Sequence, residues 1–234
     1  MASLPPIKGF LETTLLDWRG KVASVLFLPG CNFRCPYCHN HLLVLNPGEL
    51  ETIPFERVMS RLRQLRQWND GVVISGGEPT LQPGLPGLLT RLRQDGWLLK
   101  LDTNGSRPEV VAGLLELGLL DAVSMDIKAP LDDAAYRRNA GVSVDLDAVR
   151  TSIGVLAGVS HKLDIEFRTT LTPGFLLEED ILAIEAMVKS RAPGARYTLQ
   201  AFNPENPLNP KLCDYPAAEP LERKPPQKPD FLQP

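Results

Sequence analysis

The chain has 234 residues, 43% of them hydrophobic, which suits one α/β domain with a sizeable core better than two small domains. A net charge of -3 supplies no field that would draw it to nucleic acid or to an anionic membrane. The N-terminus lacks the basic region and apolar core of a secretory signal, no apolar run is long enough to span a bilayer, and four cysteines are too sparse for a disulfide framework; a cytoplasmic, reducing location is expected.

In chain order, the first strand is expected over Ala23–Leu28, a branched apolar run that stops at Pro29-Gly30. Directly after it stands Cys31-Asn-Phe-Arg-Cys35-Pro-Tyr-Cys38-His-Asn40, with spacing C-x3-C-x2-C. A helix follows over Phe55–Trp68, and its Arg57, Arg61, Arg63 and Arg66 read as a solvated face. The second strand, Val72–Ser75, ends in Gly76-Gly77-Glu78-Pro79 and leads into a helix over Leu85–Gln94. The third, Leu98–Thr103, ends in Asp102-Thr103-Asn104-Gly105 before a helix over Glu109–Leu117. The fourth, Ala122–Ile127, carries Asp126 and is followed by Lys128; a helix over Leu146–Leu156 comes next. The fifth, Asp164–Thr170, includes Arg168 and precedes a helix over Leu177–Ser190, and the sixth, Tyr197–Phe202, includes Gln200. His161 has no partner spacing and reads as a surface or helix-end residue.

Strand and helix alternate six times, which predicts parallel strands with right-handed crossovers. Six units are too few for the eight-stranded barrel, which leaves an open doubly wound sheet or a partial (β/α)6 barrel over residues 1–202. From Asn203 onward nine of the last 32 residues are proline, and residues 203–234 are expected to form an extended or disordered tail.

Three cysteines on one short loop can face one metal centre. A structural zinc takes four ligands, most often as two C-x2-C pairs, and no second pair exists; His39, His41 and Cys213 remain as candidates for a fourth ligand beside the three thiolates. A four-iron cluster held by three thiolates instead leaves one iron open to a chelating substrate. Both readings stand on the residues alone. The other strand ends favour a site, because reactive groups gather at the carboxyl ends of parallel strands. Two glycines at 76 and 77 admit a ligand against bare backbone, and Glu78, Asp102, Asp126, Lys128 and Arg168 bring charge to the same rim.

The cysteine loop, with Tyr37 before its last cysteine, resembles the signature of the radical S-adenosylmethionine superfamily. The resemblance implies a [4Fe-4S] cluster on Cys31, Cys35 and Cys38, whose open iron binds the methionine part of S-adenosylmethionine (SAM), with Tyr37 near the adenine. Gly76, Gly77 and Glu78 are similar to the motif that receives the methionine ammonium. Asp102-Thr103-Asn104-Gly105, Asp126-Ile127-Lys128 and Arg168-Thr169-Thr170 resemble strand ends of glycyl-radical-enzyme activases, which implies contacts to the methionine carboxylate, in part through a monovalent cation, and to the ribose. Pyruvate formate-lyase activating enzymes have a histidine where Phe202 stands, so the contact that histidine would make is expected either to be lost or to pass to Gln200. From Gly9 to Phe202 the pattern is most similar to short-type anaerobic ribonucleoside-triphosphate reductase activating proteins. Only about 30 residues separate the cysteine loop from the second strand, whereas longer activases insert a ferredoxin-like domain there. The implied activity is reductive cleavage of SAM to a 5′-deoxyadenosyl radical that takes hydrogen from a glycine of a partner glycyl radical enzyme, with flavodoxin or ferredoxin as electron donor. The alternatives are a radical enzyme acting on a small molecule, as in 7-carboxy-7-deazaguanine synthases, and a zinc-binding protein without redox chemistry.

Overall fold

A computed structural model describes residues 3–214. Seven strands form one sheet in sequential order: β1 (Gly9–Thr14), β2 (Ala23–Leu28), β3 (Gly71–Gly76), β4 (Leu98–Thr103), β5 (Ala122–Asp126), β6 (Asp164–Leu171) and β7 (Arg196–Ala201). From β2 to β7 every pairing is parallel, which yields the six expected strands. Between β2 and β3 lie α1 (His41–Leu45) and α2 (Phe55–Gln64), and the later crossovers hold α3 (Leu85–Gln94), α4 (Pro108–Glu116), α5 (Asp133–Ala140), α6 (Leu146–Val159) and α7 (Glu178–Arg191). Among the described residues no helix is long and apolar enough to cross a membrane.

Period-two alternation gives the sheet two apolar faces of unequal size. On the helix side, Leu26, Leu28, Val72, Ile74, Leu99, Leu101, Val123, Met125, Ile165 and Phe167 join the leucines of α3 and the valines of α4 and α6 in the main core. On the concave side a small cluster of Trp18, Ala23, Val25, Val73 and Ala122 closes the floor. Above that floor the concave positions turn polar. Lys100 and Asp102 on β4, Ser124 and Asp126 on β5, and Glu166 and Arg168 on β6 follow one another at two-residue steps. Ser124 and Thr198 both donate hydrogen bonds to the Glu166 carboxylate, at 2.9 and 2.7 Å.

Three elements escaped the sequence. β1 runs antiparallel to β2 and forms the outer edge of the sheet, where one neighbour is enough and the apolar signal is weak. α1 is five residues long, and α5, Asp-Ala-Ala-Tyr-Arg-Arg-Asn-Ala, buries only Tyr136, Asn139 and Ala140. α2 also stops short of Trp68. Asn69 is buried and donates to the Glu12 carbonyl at 2.7 Å and to Ser24 Oγ at 2.8 Å, which draws the chain out of the helix and into β3. The arginines of α2 do more than face water: Arg61 makes a two-pronged pair with Glu12, Arg63 pairs with Asp95, and the Arg66 guanidinium lies 4.3 Å from the Trp97 ring centre.

Residues 203–214 return across the cysteine loop, where the Leu208 and Asn209 amides donate to the carbonyls of Cys38 and Pro36 at 3.0 and 2.8 Å. Pro207 and Leu212 are buried in that turn. The rest of the expected tail lies outside the described residues.

Candidate active site

A cavity of about 260 Å³ sits at the carboxyl ends of the parallel strands. Its lining includes Cys31, Cys35, Tyr37, Cys38, Gly76, Gly77, Glu78, Asp102, Thr103, Asn104, Asp126, Lys128, Arg168 and Gln200, so all fourteen residues expected from the sequence meet there. Phe33, His39, Asn40, Ser75 and Thr170 line it as well.

The cysteine loop is held from several sides. Arg34 donates through one guanidinium nitrogen to the carbonyls of Cys31 and Phe33 at 2.6 and 2.8 Å, and its amide donates to Ala140 at the end of α5 at 2.7 Å. Gly141 follows with φ +71°; a Cβ there would lie 2.1 Å from the Arg34 carbonyl oxygen, so glycine alone allows the contact. The Phe33 amide and the Asn104 side chain both donate to Cys31 Sγ, at 3.3 and 3.8 Å. Burial pushes the Cys31 thiol up to about 11 and raises those of Cys35 and Cys38; nearby Lys128 pulls each of the three down without overcoming burial. In the metal-free chain these groups therefore stay protonated at neutral pH, and loading metal onto them releases protons.

Gly76 and Gly77 serve a purpose the sequence does not show. A Cβ on Gly76 would lie 2.3 Å from the Leu28 carbonyl oxygen, and one on Gly77 would lie 1.9 Å from that of Gly30. The space a side chain would fill belongs to the cysteine loop, and the Gly77 and Glu78 amides bond to Leu28 and Gly30 at 2.9 and 2.7 Å. Glu78 is 1% exposed. Its Oε1 accepts from Thr103 Oγ1 at 2.8 Å and from Thr80, and its Oε2 from the Asn104 amide at 2.6 Å. The carboxylate thus ties the ends of β3 and β4 together. Burial raises its pKa, and those hydrogen bonds pull against the rise.

Charges alternate along the inner wall. The Lys100 ammonium lies 3.0 Å from Asp102 Oδ1, Arg168 bridges Asp102 and Asp126 at 3.4 and 2.9 Å, and Lys128 meets Asp126 at 2.9 Å. Burial disfavours the charges of Asp126, Lys128 and Arg168, yet Arg168 and Lys128 hold the Asp126 carboxyl well below the usual carboxylate range. Asp126 in turn helps to raise Lys128 well above its ordinary value despite burial. Lys128 also lies 5.9 Å from the centre of the Tyr37 ring, whose other neighbour is Phe175, edge-on at 6.3 Å. Tyr37 is 5% exposed and fixed by these contacts.

Phe202 is buried and stacks on His39 at 6.3 Å, while His39 Nε2 meets the Asn203 carbonyl at 2.6 Å. An imidazole therefore does reach the cavity, from the cysteine loop instead of the last strand, beside the expected Gln200. Lys100 was not foreseen. Its signal was present: a lone lysine interrupts the apolar run Trp97-Leu-Leu-Lys100-Leu at the same parity as Asp102.

Three thiols opening on one cavity at the carboxyl ends of a six-stranded parallel half-barrel define a class of cluster-dependent enzyme. The sequence profile of the Radical SAM superfamily matches residues 25–157, and the chain belongs to that superfamily. It is an enzyme of that class, using a [4Fe-4S] cluster and SAM. Methanocaldococcus jannaschii MJ1227, a protein named for the activation of a glycyl-radical enzyme, is 33% identical over 203 residues, covering 86% of this chain and 81% of its own. The pyruvate formate-lyase-activating enzyme of Clostridium pasteurianum is 33% identical over 53% of this chain and 52% of its own. The 7-carboxy-7-deazaguanine synthase of Methanopyrus kandleri is 34% identical over 47% of this chain and 51% of its own, so this chain spans about half of each of these two relatives. Among solved structures, Streptococcus suis SuiB bound to SAM matches with a TM-score of 0.52 at 17% identity over 75% of this chain and 39% of its own. Native anSMEcpe with bound AdoMet matches at 0.51 and 18% over 78% and 55%. At such identities the likeness is one of fold.

The donor set fits the cluster. Cys31, Cys35 and Cys38 are free thiols around one cavity, whereas Cys213 is exposed and does not line it. Of the candidate fourth ligands for zinc, His39 lines this cavity but turns its Nε2 to the Asn203 carbonyl at 2.6 Å, and His41 and Cys213 do not line it. The implied monovalent cation does not fit: both Asp102 oxygens already face cationic side chains, Lys100 at Oδ1 and Arg168 at Oδ2, with Ser75 Oγ donating to Oδ2 at 3.2 Å.

Proposed function

We propose that this enzyme activates a glycyl radical enzyme: it cleaves SAM reductively and takes a hydrogen atom from a glycine α-carbon of that partner, anaerobic ribonucleoside-triphosphate reductase being the first candidate. The observation that carries this reading is the match to MJ1227, which runs through 86% of the chain and is not confined to the cysteine loop. An open sheet supports it. β1 and β7 are the two ends of the strand order and do not pair, which leaves a side through which a loop of a large protein can approach.

When bound, the cluster and SAM supply the one-electron reduction and the carbon-centred radical. The chain's own residues then have separable tasks. Cys31, Cys35 and Cys38 would hold the cluster through three thiolates. Arg168 and Lys128, anchored on Asp126, present the positive charge that suits a carboxylate. Tyr37, Gly76, Gly77, Glu78, Thr103, Asn104 and Gln200 shape the walls around the remaining groups of the cofactor. Flavodoxin or ferredoxin is the expected electron source.

The test is anaerobic reconstitution with iron, sulfide, SAM, a reductant and candidate glycyl radical enzymes, read by electron paramagnetic resonance. A glycyl signal on the partner is expected with the wild type. Cys35→Ala is expected to lose both iron and signal, and Cys213→Ala to keep both. Cleavage stimulated by a deazaguanine precursor and by no protein partner would favour the small-molecule reading that the Methanopyrus kandleri relative suggests.

A further inference from the structure

We propose that the Lys100 ammonium is a built-in counter-cation for the Asp102 carboxylate, so that cofactor binding at this site needs no alkali cation. The inference rests on the proposed site for SAM and goes on to assign a positioning role to a residue below it.

Lys100 is 3% exposed, in the middle of β4, with Val73 and Ala122 beside it on the neighbouring strands. Among these apolar neighbours the Lys100 side chain is nearly buried, and its ammonium has two partners. One is the Asp17 carbonyl in the turn between β1 and β2; that turn is pinned where Thr14 Oγ1 donates to Asp17 Oδ2 at 2.7 Å and where Trp18 closes the floor. The other is Asp102 Oδ1 at 3.0 Å, an ion pair that counters the charge on that oxygen without being aligned as a hydrogen bond. On the far side of Asp102, Arg168 bonds to Oδ2 and reaches Asp126. The wall therefore reads Lys100, Asp102, Arg168, Asp126, Lys128, three cations with two anions between them. Glu166, beside Arg168 on β6, adds a third anion, so the wall as a whole is balanced, and Arg168 and Lys128 are the cations it turns toward a ligand carboxylate. A metal cation at Asp102 would sit against the Lys100 ammonium and be repelled by it. A buried lysine with a fixed carbonyl partner is also pre-organised, whereas a bound ion must be captured from solution.

The experiment is equilibrium binding of SAM to the reconstituted holoenzyme in potassium chloride and in tetramethylammonium chloride at equal ionic strength. The large organic cation screens charge equally well but cannot enter the site. Wild-type affinity is expected to agree within about twofold between the two salts. Lys100→Met, with Lys100→Gln as a second variant, is expected to bind at least about tenfold more weakly in tetramethylammonium and to recover when potassium or sodium is added. A merely structural role for Lys100 would not produce rescue by an alkali ion. Potassium-dependent binding by the wild type overturns the inference however the variants fold, as does folded Lys100→Met that binds equally in both salts. Absence of SAM binding in every salt would overturn the proposed function as well, whereas potassium-dependent binding with an intact glycyl signal overturns this inference alone.

Discussion

Asp126 shows how one buried carboxylate organises two cations. Arg168 at 2.9 Å and Lys128 at 2.9 Å outweigh the burial that opposes its charge, so its folded-state pKa lies below the unfolded value. A carboxylate shifted in that direction contributes stability above the ordinary carboxylate pKa and loses it as pH falls toward the folded value. Asp126→Asn is therefore expected to destabilise the protein at pH 7 by about 2–3 kcal/mol, because Arg168 and Lys128 lose their shared anion. The difference from wild type should shrink below about pH 4, where the unfolded carboxyl takes up its proton. Urea unfolding of both proteins at pH 7 and at pH 3.5 checks this, and a difference that stays constant across that range would refute it. Glu78 shows the limit of reading roles from residue type. The carboxylate was legible as a site residue, but its four hydrogen bonds make it also a brace between β3 and β4.

Among the elements, α5 holds the cysteine loop from behind and was hard to see. Its eight residues carry little hydrophobic signal, but its caps were readable: the Asp132 side chain accepts from the Ala135 amide at 2.9 Å, and Gly141 ends it in the left-handed conformation. What it does there follows only from packing. The Tyr136 hydroxyl accepts from the Lys128 amide at 3.4 Å, the Arg138 side chain donates to the Phe175 carbonyl at 3.0 Å, and Ala140 holds the cysteine loop through Arg34. Gly141→Ala would place a methyl against the Arg34 carbonyl and strain a positive φ, at a cost of about 1–3 kcal/mol. The expected result is a lowered melting temperature together with reduced iron content after reconstitution; Gly154→Ala, in an open position inside α6, should leave the iron content unchanged and not lower the melting temperature. Equal iron content in the two variants would show that α5 does not position the loop.

For the molecule as a whole, the strand order turns seven local elements into one half-barrel with a floor, a charged middle and a cavity at the top. Residues 203–214 complete it by bonding to the Cys38 and Pro36 carbonyls, beyond the stretch that the superfamily profile matches. A chain ending at Phe202 is expected to fold with a melting temperature within a few degrees of the full chain, yet to lose its cluster at least about threefold faster in air, since the outer face of the cysteine loop is bared. Bleaching near 400 nm follows the loss, and equal rates would contradict the role of this segment. By itself the sequence determined the six parallel strands, the place of the cysteine loop and the charged residues at the strand ends, because apolar periodicity, Gly-Pro punctuation and motif spacing are local properties of the chain. Tertiary structure alone decided that Gly76 and Gly77 make room for backbone, that His39 and not the last strand brings an imidazole to the cavity, and that the Lys100 ammonium meets the Asp17 carbonyl. Each of those depends on atoms from distant segments competing for one volume, and no local pattern encodes that competition.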